Sequence, residues 1–214
     1  MKTHTPFNLR LCLVRKVVLG VFCALVGFTP LEGAEPSPGA GYALAKGTNE
    51  FGLWVGGSPD SFGNTEDRQL LLVALRYGRV FAAWESISLE YTLDIYPAAV
   101  LFQPDWMRSG RSTIYGAGLA PVGFKVKFAT QNRLQPFISA SLGFLYFLKQ
   151  IPEPGASHFN FSSQIGLGVE FFFAPKRALT LGYKIDHISN ASVGQSNPGM
   201  NSHVIYTGFS FFTP

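Results

Sequence analysis

The chain has only two cysteines, Cys12 and Cys23, and both lie within its first 23 residues. No disulfide can therefore staple the remaining sequence, and the bridge-dependent type of small secreted domain is excluded. Charge is also scarce: Asp, Glu, Lys and Arg make up 14% of the 214 residues. That is too little for a polar tail or charged scaffold, and 47% hydrophobic content is too much for a disordered chain. Positive charge is concentrated at the start. Lys2, Arg10, Arg15 and Lys16 are four of the 17 basic residues and Glu32 is one of the 13 acidic ones, so residues 35–214 hold 13 and 12. Residues 35–214 contain no basic run of five, so they lack the footprint of a nucleic-acid partner. They also contain no run of 18 apolar residues, so no transmembrane helix is expected.

Residues 1–34 have the anatomy of a secretory signal peptide. A basic start ends at Arg15-Lys16, the apolar run Val17–Phe28 follows, and Pro30 and the small residues Gly33-Ala34 come next. The run has 12 residues, short of the ~20 a spanning helix needs. Cleavage is expected after Gly33 or Ala34, leaving residues 35–214 as one exported domain.

The dominant pattern in that domain is alternation. Phe159, Phe161, Ser163, Ile165, Leu167, Val169, Phe171 and Phe173 face one way, and Asn160, Ser162, Gln164, Gly166, Gly168, Glu170 and Phe172 face the other. Ile87, Leu89, Tyr91, Leu93 and Ile95 alternate in the same way with Ser88, Glu90, Thr92 and Asp94. Period two is the signature of strands. Eight such segments follow, at about 49–57, 69–83, 86–96, 112–128, 135–149, 158–173, 177–189 and 201–212. Most reach the ~9–11 residues that cross a membrane at a tilt. Alternation alone also suits a soluble sandwich. Strand length, aromatic abundance, the export signal and the missing cysteines favour an all-β, eight-stranded antiparallel transmembrane barrel, with apolar residues facing lipid. Short links near Trp84-Glu85, Ala129–Leu134 and Ala174–Lys176 alternate with longer ones at Ser58–Arg68, Pro97–Arg111, Gln150–Ser157 and Asn190–Met200. Outer-membrane barrels show this contrast between periplasmic turns and external loops. Eight strands enclose a lumen that side chains fill, which argues against a wide pore. Glu170, Lys184 and Asp186 are expected there as ion-pairing residues.

One segment carries a pattern with chemical meaning. Along Leu179, Leu181, Tyr183, Ile185, His187 and Ser189, the last two extend the lipid-facing stripe at its external end. An imidazole and a hydroxyl on one face are what base-activated nucleophilic attack requires. Ordinary boundary residues would look the same, and the spacing alone favours that plainer reading. Asp186 points to the opposite face, and His203 has no evident partner cluster. No metal-ligand spacing occurs, and Gly116-Ala117-Gly118 sits within a strand pattern, which rejects a dinucleotide loop.

At this segment the sequence resembles the outer-membrane lipid A 3-O-deacylases, the PagL family. The residues that carry the resemblance are His187-Ile188-Ser189-Asn190-Ala191, then Asn197-Pro198-Gly199, then Asn201-Ser202. The family pattern is a His-x-Ser-Asn-Ala run, a short loop with Asn and Gly, and an acidic residue fourteen positions after the His. The resemblance implies a Gram-negative outer-membrane esterase without cofactor or metal. Such an enzyme removes the acyl chain ester-linked at the 3 position of lipid A, the anchor of lipopolysaccharide. It also implies Ser189 as nucleophile, His187 as general base, and Asn190 and Asn197 as loop-shaping or oxyanion-binding residues. Tyr183 and Ile185, on the same stripe, are candidates for acyl contact. The acidic member of the triad, a Glu in the family pattern, is Asn201 here. An amide can orient the imidazole but cannot stabilise an imidazolium by charge. That substitution motivates the rival expectation of a non-catalytic small barrel with a structural, adhesion or lipid-binding role. A narrow transport barrel is a further rival. Monomer and homodimer both remain open.

Overall fold

The alternating segments form the wall of a closed barrel in the computed structural model, which describes residues 41–63 and 65–214. The expected signal, residues 1–34, lies outside the described residues. The strands are β1 (Asn49–Ser58), β2 (Ser61–Phe62), β3 (Gln69–Ala83), β4 (Ile87–Pro104), β5 (Arg111–Phe128), β6 (Leu134–Ile151), β7 (Ser157–Ala174), β8 (Arg177–Ser189) and β9 (Met200–Thr213). Each long strand pairs antiparallel with the next, and β1 pairs with β9, which closes an eight-stranded barrel. The two-residue β2 is not a ninth stave. It extends the seam outward, pairing with β9 just beyond the end of the β1–β9 ladder. Closure leaves the eight-strand wall without an edge, so its backbone polar groups are satisfied without water.

Apolar residues of the odd stripe on β7 and β8 face outward, with Ile165 66% and Leu181 59% exposed, whereas Asp186 is fully buried. The inside is packed. Trp54, Tyr96 and Tyr206 pack together in the lumen, with ring centroids 5.3–5.7 Å apart around Trp54. A void of only about 10 Å³ lies among residues that include Glu50, Arg76 and Tyr206. Deeper, Lys125 Nζ lies 2.5 Å from Glu50 Oε2 and 2.7 Å from Glu170 Oε1. Lys127 Nζ lies 2.8 Å from Glu170 Oε2 and 3.0 Å from Glu90 Oε2. Buried charges are costly unless they are paired or hydrogen-bonded.

The expectation for the lumen ions needs correction at two of three positions. Glu170 is ion-paired, but Lys184 and Asp186 do not pair with each other. Lys184 Nζ donates to Gln164 Oε1 at 3.1 Å, and Gln164 Nε2 donates to Asp186 Oδ2 at 3.0 Å. The Lys184 ammonium lies over the rings of Trp54 and Tyr206, 4.0 and 4.7 Å from their centroids. Residues two apart on a strand share a face but splay, and the amide of Gln164 fills the space between them.

The Pro97–Arg111 loop is also corrected: β4 continues to Pro104, and only residues 105–110 connect it to β5. Inward-facing residues are even-numbered up to Tyr96 and odd-numbered from Ala99. The β4–β5 register slips between those two residues, where Pro97 sits. A bulge inserts one residue and flips the alternation, and proline is tolerated there because it has no N–H to give the ladder. Pro121 marks the equivalent flip on β5, between Ala120 and Gly123.

The two barrel ends are built differently. At the turn end, Tyr42 and Leu44 pack against Val80, Phe172, Ala178 and Phe212. Arg133 Nε donates to the Tyr42 hydroxyl at 2.8 Å. At the loop end, Trp106 Nε1 donates to the Pro152 carbonyl at 3.2 Å, as does Arg68 Nη2 at 3.3 Å. Partial burial lowers the pKa of the Arg68 guanidinium, which stays charged.

Candidate active site

Register brings the candidate residues together at the outer end of the seam. His187 on β8 stands opposite Ser163 of β7 and Asn201 of β9. In-register neighbours point to the same face of a sheet, so all three are on the outer wall. His187 Nδ1 lies 2.7 Å from Asn201 Oδ1. A carboxamide oxygen only accepts, so in this orientation Nδ1 carries the proton and the Nε2 lone pair is free. The third position, expected fourteen residues after His187, is thus in contact with the imidazole.

Ser189 is two residues farther out on the same face, opposite Phe161. Its hydroxyl makes no hydrogen bond to His187 here.

The loop at 190–199 is organised by Asn190, whose side chain is buried. Asn190 Nδ2 donates to the Ser196 carbonyl at 2.8 Å, and its Oδ1 accepts from Ser192 N–H at 2.9 Å. Asn197 Oδ1 accepts from Asn190 N–H at 3.1 Å. These bonds hold the chain through two non-glycine residues with positive φ, Ala191 at 51° and Ser192 at 64°. Such a backbone is uncommon and needs local bonds to persist. Both asparagines therefore shape the loop in this structure. Asn190 has committed its donor there, whereas the Nδ2 of the exposed Asn197 makes no hydrogen bond.

Two features had little or no signal in the sequence. Gly199, quoted only as part of a pattern, has φ +66°, and a Cβ there would lie 3.3 Å from His187 Cε1. It is the close approach of the loop to the imidazole. His203, expected to stand apart, has two partners. Its Nδ1 lies 2.5 Å from the Tyr183 hydroxyl, and Phe62 of β2 stacks on its ring with centroids 4.2 Å apart. Tyr183 and Ile185 stay on the outer stripe below His187, half-buried, with Ile185 opposite His203.

A groove of about 550 Å³ opens between the outer ends of β6 and β7 and the 190–199 loop. Tyr146, His158, Phe159, Val193 and Gln195 are among its lining residues, and no Asp, Glu, Lys or Arg lines it. Phe159 meets Phe161 edge to face at 5.2 Å, and Phe161 stands opposite Ser189. One aromatic step therefore separates groove and hydroxyl. Among the described residues, no group of three or more His, Cys, Asp or Glu is arranged to hold a metal ion.

Comparison with known proteins adds an independent finding. The sequence model of a family described as lipid A 3-O-deacylase (PagL) matches residues 72–210. A search of curated proteins finds no match. Among solved structures, the chain is similar to the outer membrane enzyme PagL at 20% identity and a TM-score of 0.53, over 74% of this chain and 97% of that one. It is also similar to Neisserial surface protein A (NspA) at 12% identity and a TM-score of 0.48, over 78% and 97% of the two chains. For the outer membrane protein OprG from Pseudomonas aeruginosa the values are 10%, 0.44, 80% and 98%.

Proposed function

Since the chain belongs to the lipid A 3-O-deacylase (PagL) family, we propose that it is a cofactor-free carboxylic ester hydrolase of the Gram-negative outer membrane. In this reading it removes the acyl chain ester-linked at the 3 position of lipid A, and residues 1–34 are the signal peptide that exports it. The observation that carries the reading is the row His187–Asn201 with Ser189 beside it, on the lipid-facing wall at the loop end of the barrel. A lipid ester in the outer leaflet can reach that wall without entering the packed lumen.

The chemistry is acyl transfer through Ser189. Nε2 of His187 accepts the hydroxyl proton as Oγ attacks the ester carbonyl, and the C–O bond to the sugar then breaks. The imidazolium returns that proton to the leaving sugar oxygen. Water hydrolyses the acyl-enzyme by the same route, freeing the fatty acid and regenerating Ser189. Asn201 Oδ1 holds the Nδ1–H tautomer that this sequence of proton transfers needs. The free Nδ2 of Asn197 is the candidate donor to the oxyanion, and Asn190 keeps the loop in shape. The uncharged groove beside Phe159 suits apolar and saccharide parts of a lipid, while Tyr183 and Ile185 offer acyl contact.

The test is mass spectrometry of lipid A from cells expressing the wild-type chain or Ser189→Ala. Loss of one ester-linked acyl chain with wild type but not with Ser189→Ala is expected. The alternative, a non-catalytic lipid-binding barrel, is favoured by the amide at position 201 and by the absence of a Ser189–His187 bond. Lipid A unchanged in both strains would select that alternative.

A further inference from the structure

The groove between the outer ends of β6 and β7 and the 190–199 loop is lined by polar groups that the protein itself leaves unpaired. His158 Nδ1 lies 2.9 Å from the Phe147 carbonyl. A carbonyl only accepts, so Nδ1 carries the proton. Nε2, an acceptor in the neutral ring, has no partner among the described residues. Gln150 is placed in the complementary way. Its Oε1 accepts from Gly155 N–H at 3.0 Å, which leaves Nε2 as an unpaired donor. The exposed Gln195 makes no side-chain hydrogen bond and offers both functions. Tyr146 adds an aromatic surface beside them, its ring nearly parallel to that of His158 with centroids 5.8 Å apart.

These features narrow the occupant. No Asp, Glu, Lys or Arg lines the groove, so a phosphate, carboxylate or ammonium finds no counter-charge there. An acyl chain would cover the unpaired donors and acceptors and return no hydrogen bond. A sugar hydroxyl both donates and accepts, so neighbouring hydroxyls satisfy an imidazole acceptor and an amide donor side by side. The apolar face of a sugar ring suits an aromatic wall. The volume, about 550 Å³, falls within the roughly 300–1,000 Å³ of small-ligand sites. The walls are also pinned together. Ser196 N–H donates to the Gly155 carbonyl at 3.0 Å, and its hydroxyl donates to the Glu153 carboxylate. A Cβ on Gly194 would lie 2.8 Å from the Ala156 carbonyl oxygen, so the two loops touch. One of them is the loop that brings Gly199 against His187, which ties the groove to the candidate active site.

We propose that this groove is a saccharide subsite: His158, Gln150 and Gln195 hydrogen-bond the hydroxyls of an uncharged sugar unit whose ring lies against Tyr146. The sugar seated there holds the ester of the same molecule at Ser189, one aromatic step away across Phe159 and Phe161. The proposal rests on the catalytic reading of His187 and Ser189 and names the part of the substrate that the groove selects. His158 acts in binding and takes no part in proton transfer. Acyl contact stays on the outer wall with Tyr183 and Ile185.

The full chain, refolded in detergent micelles, is assayed on two esters: purified lipid A, and a p-nitrophenyl ester that carries an acyl chain but no sugar. Folding of each variant is confirmed by its mobility shift on unboiled gels. Gln195→Ala removes no hydrogen bond within the protein, and His158→Phe keeps a ring beside Tyr146. Each is expected to raise KM for lipid A about three- to tenfold, as loss of one neutral hydrogen bond does. A contact made equally in ground and transition states leaves kcat alone, so kcat is expected to change by less than about twofold. For the p-nitrophenyl ester, kcat/KM is expected to change by less than about twofold in both variants. Equal losses on the two esters, or no loss on lipid A in either variant, would overturn the proposal. The second readout needs no turnover. The saccharide left after complete deacylation and dephosphorylation of lipid A is titrated into the Ser189→Ala chain while the imidazole ¹⁵N signals of His158 are followed. A saturable shift at Nε2 is expected, with affinity weakened about three- to tenfold by Gln195→Ala. No shift, or a shift produced only by the phosphorylated saccharide or only by the free fatty acid, would overturn the saccharide site. If the wild-type chain releases no fatty acid, the catalytic reading fails and the titration alone decides what the groove binds.

Discussion

Asn201 Oδ1 accepts the Nδ1–H of His187 at 2.7 Å across the β8–β9 ladder. The pair is set by register: His187 and Asn201 are direct neighbours on one face, so no loop rearrangement is needed to bring them together. The amide supplies orientation without charge. Asn201→Glu is therefore expected to raise kcat for lipid ester hydrolysis by about tenfold or more, because a carboxylate also stabilises the imidazolium. Asn201→Ala is expected to lower it by about ten- to a hundredfold. Fatty-acid release from purified lipid A measures both. An unchanged rate in Asn201→Glu would remove position 201 from the proton pathway.

The loop makes a second demand on the same ring. Gly199 adopts φ +66° with its Cα beside His187 Cε1, and a methyl group there would sit 3.3 Å from that carbon. Gly199→Ala combines left-handed strain with a displaced imidazole. A stability loss of about 1 kcal/mol and a kcat loss of about tenfold or more are expected. Unfolding by denaturant and turnover by folded protein separate the two effects. Full activity in the variant would mean that the loop yields instead of the ring.

Much of this architecture was legible in the alternation of the chain, because a barrel wall in lipid exposes every second side chain and buries the others. His187 and Ser189 fell on the outer stripe by counting alone. The pattern failed where the backbone inserts a residue. Past Pro97 the inward positions change from even to odd, so a strand that continues to Pro104 read as a loop from that proline onward. The short β2 was invisible for a different reason. Two residues carry no periodicity, and Phe62 stands opposite Asn201, 139 positions away, only because the seam closes. His203 read as isolated because its partners, Tyr183 and Phe62, come from two other strands. The link between Lys184 and Asp186 was misread because Gln164, on the adjacent strand, carries it.

Asn190 offers a test of loop shape that leaves the catalytic groups in place. Its amide bonds the Ser196 carbonyl and the Ser192 N–H while its own N–H is held by Asn197. Asn190→Ala deletes two of these bonds and releases the strained turn at Ala191 and Ser192. The expected result is a rise in amide hydrogen exchange confined to residues 190–199, with a loss of about 1–3 kcal/mol in local stability. Asn190→Asp keeps the acceptor to Ser192 and is expected to recover part of the protection. Uniform exchange across the barrel in Asn190→Ala would mean that the loop and the wall open as one unit.

The lumen supplies a prediction independent of the site. Glu170 contacts both Lys125 and Lys127, at 2.7 and 2.8 Å, through its two oxygens. Glu50 and Glu90 remain when it is removed, 2.5 Å from Lys125 and 3.0 Å from Lys127, so each buried ammonium keeps one close carboxylate and loses another. Glu170→Ala is expected to destabilise the folded barrel by about 1–3 kcal/mol, the cost of removing a carboxylate that contacts both buried ammonium groups. The Lys127→Met, Glu170→Leu double variant removes one charge of each sign and fills the volume, so it is expected to recover most of that loss. Thermal midpoints of the unboiled-gel mobility shift measure both variants. Because His187 and Ser189 face the other side of the wall, the specific activity of the fraction that remains folded should match wild type. If Glu170→Ala melted like the wild-type chain, the pairing seen at 2.7 and 2.8 Å would be contributing nothing to the closed barrel.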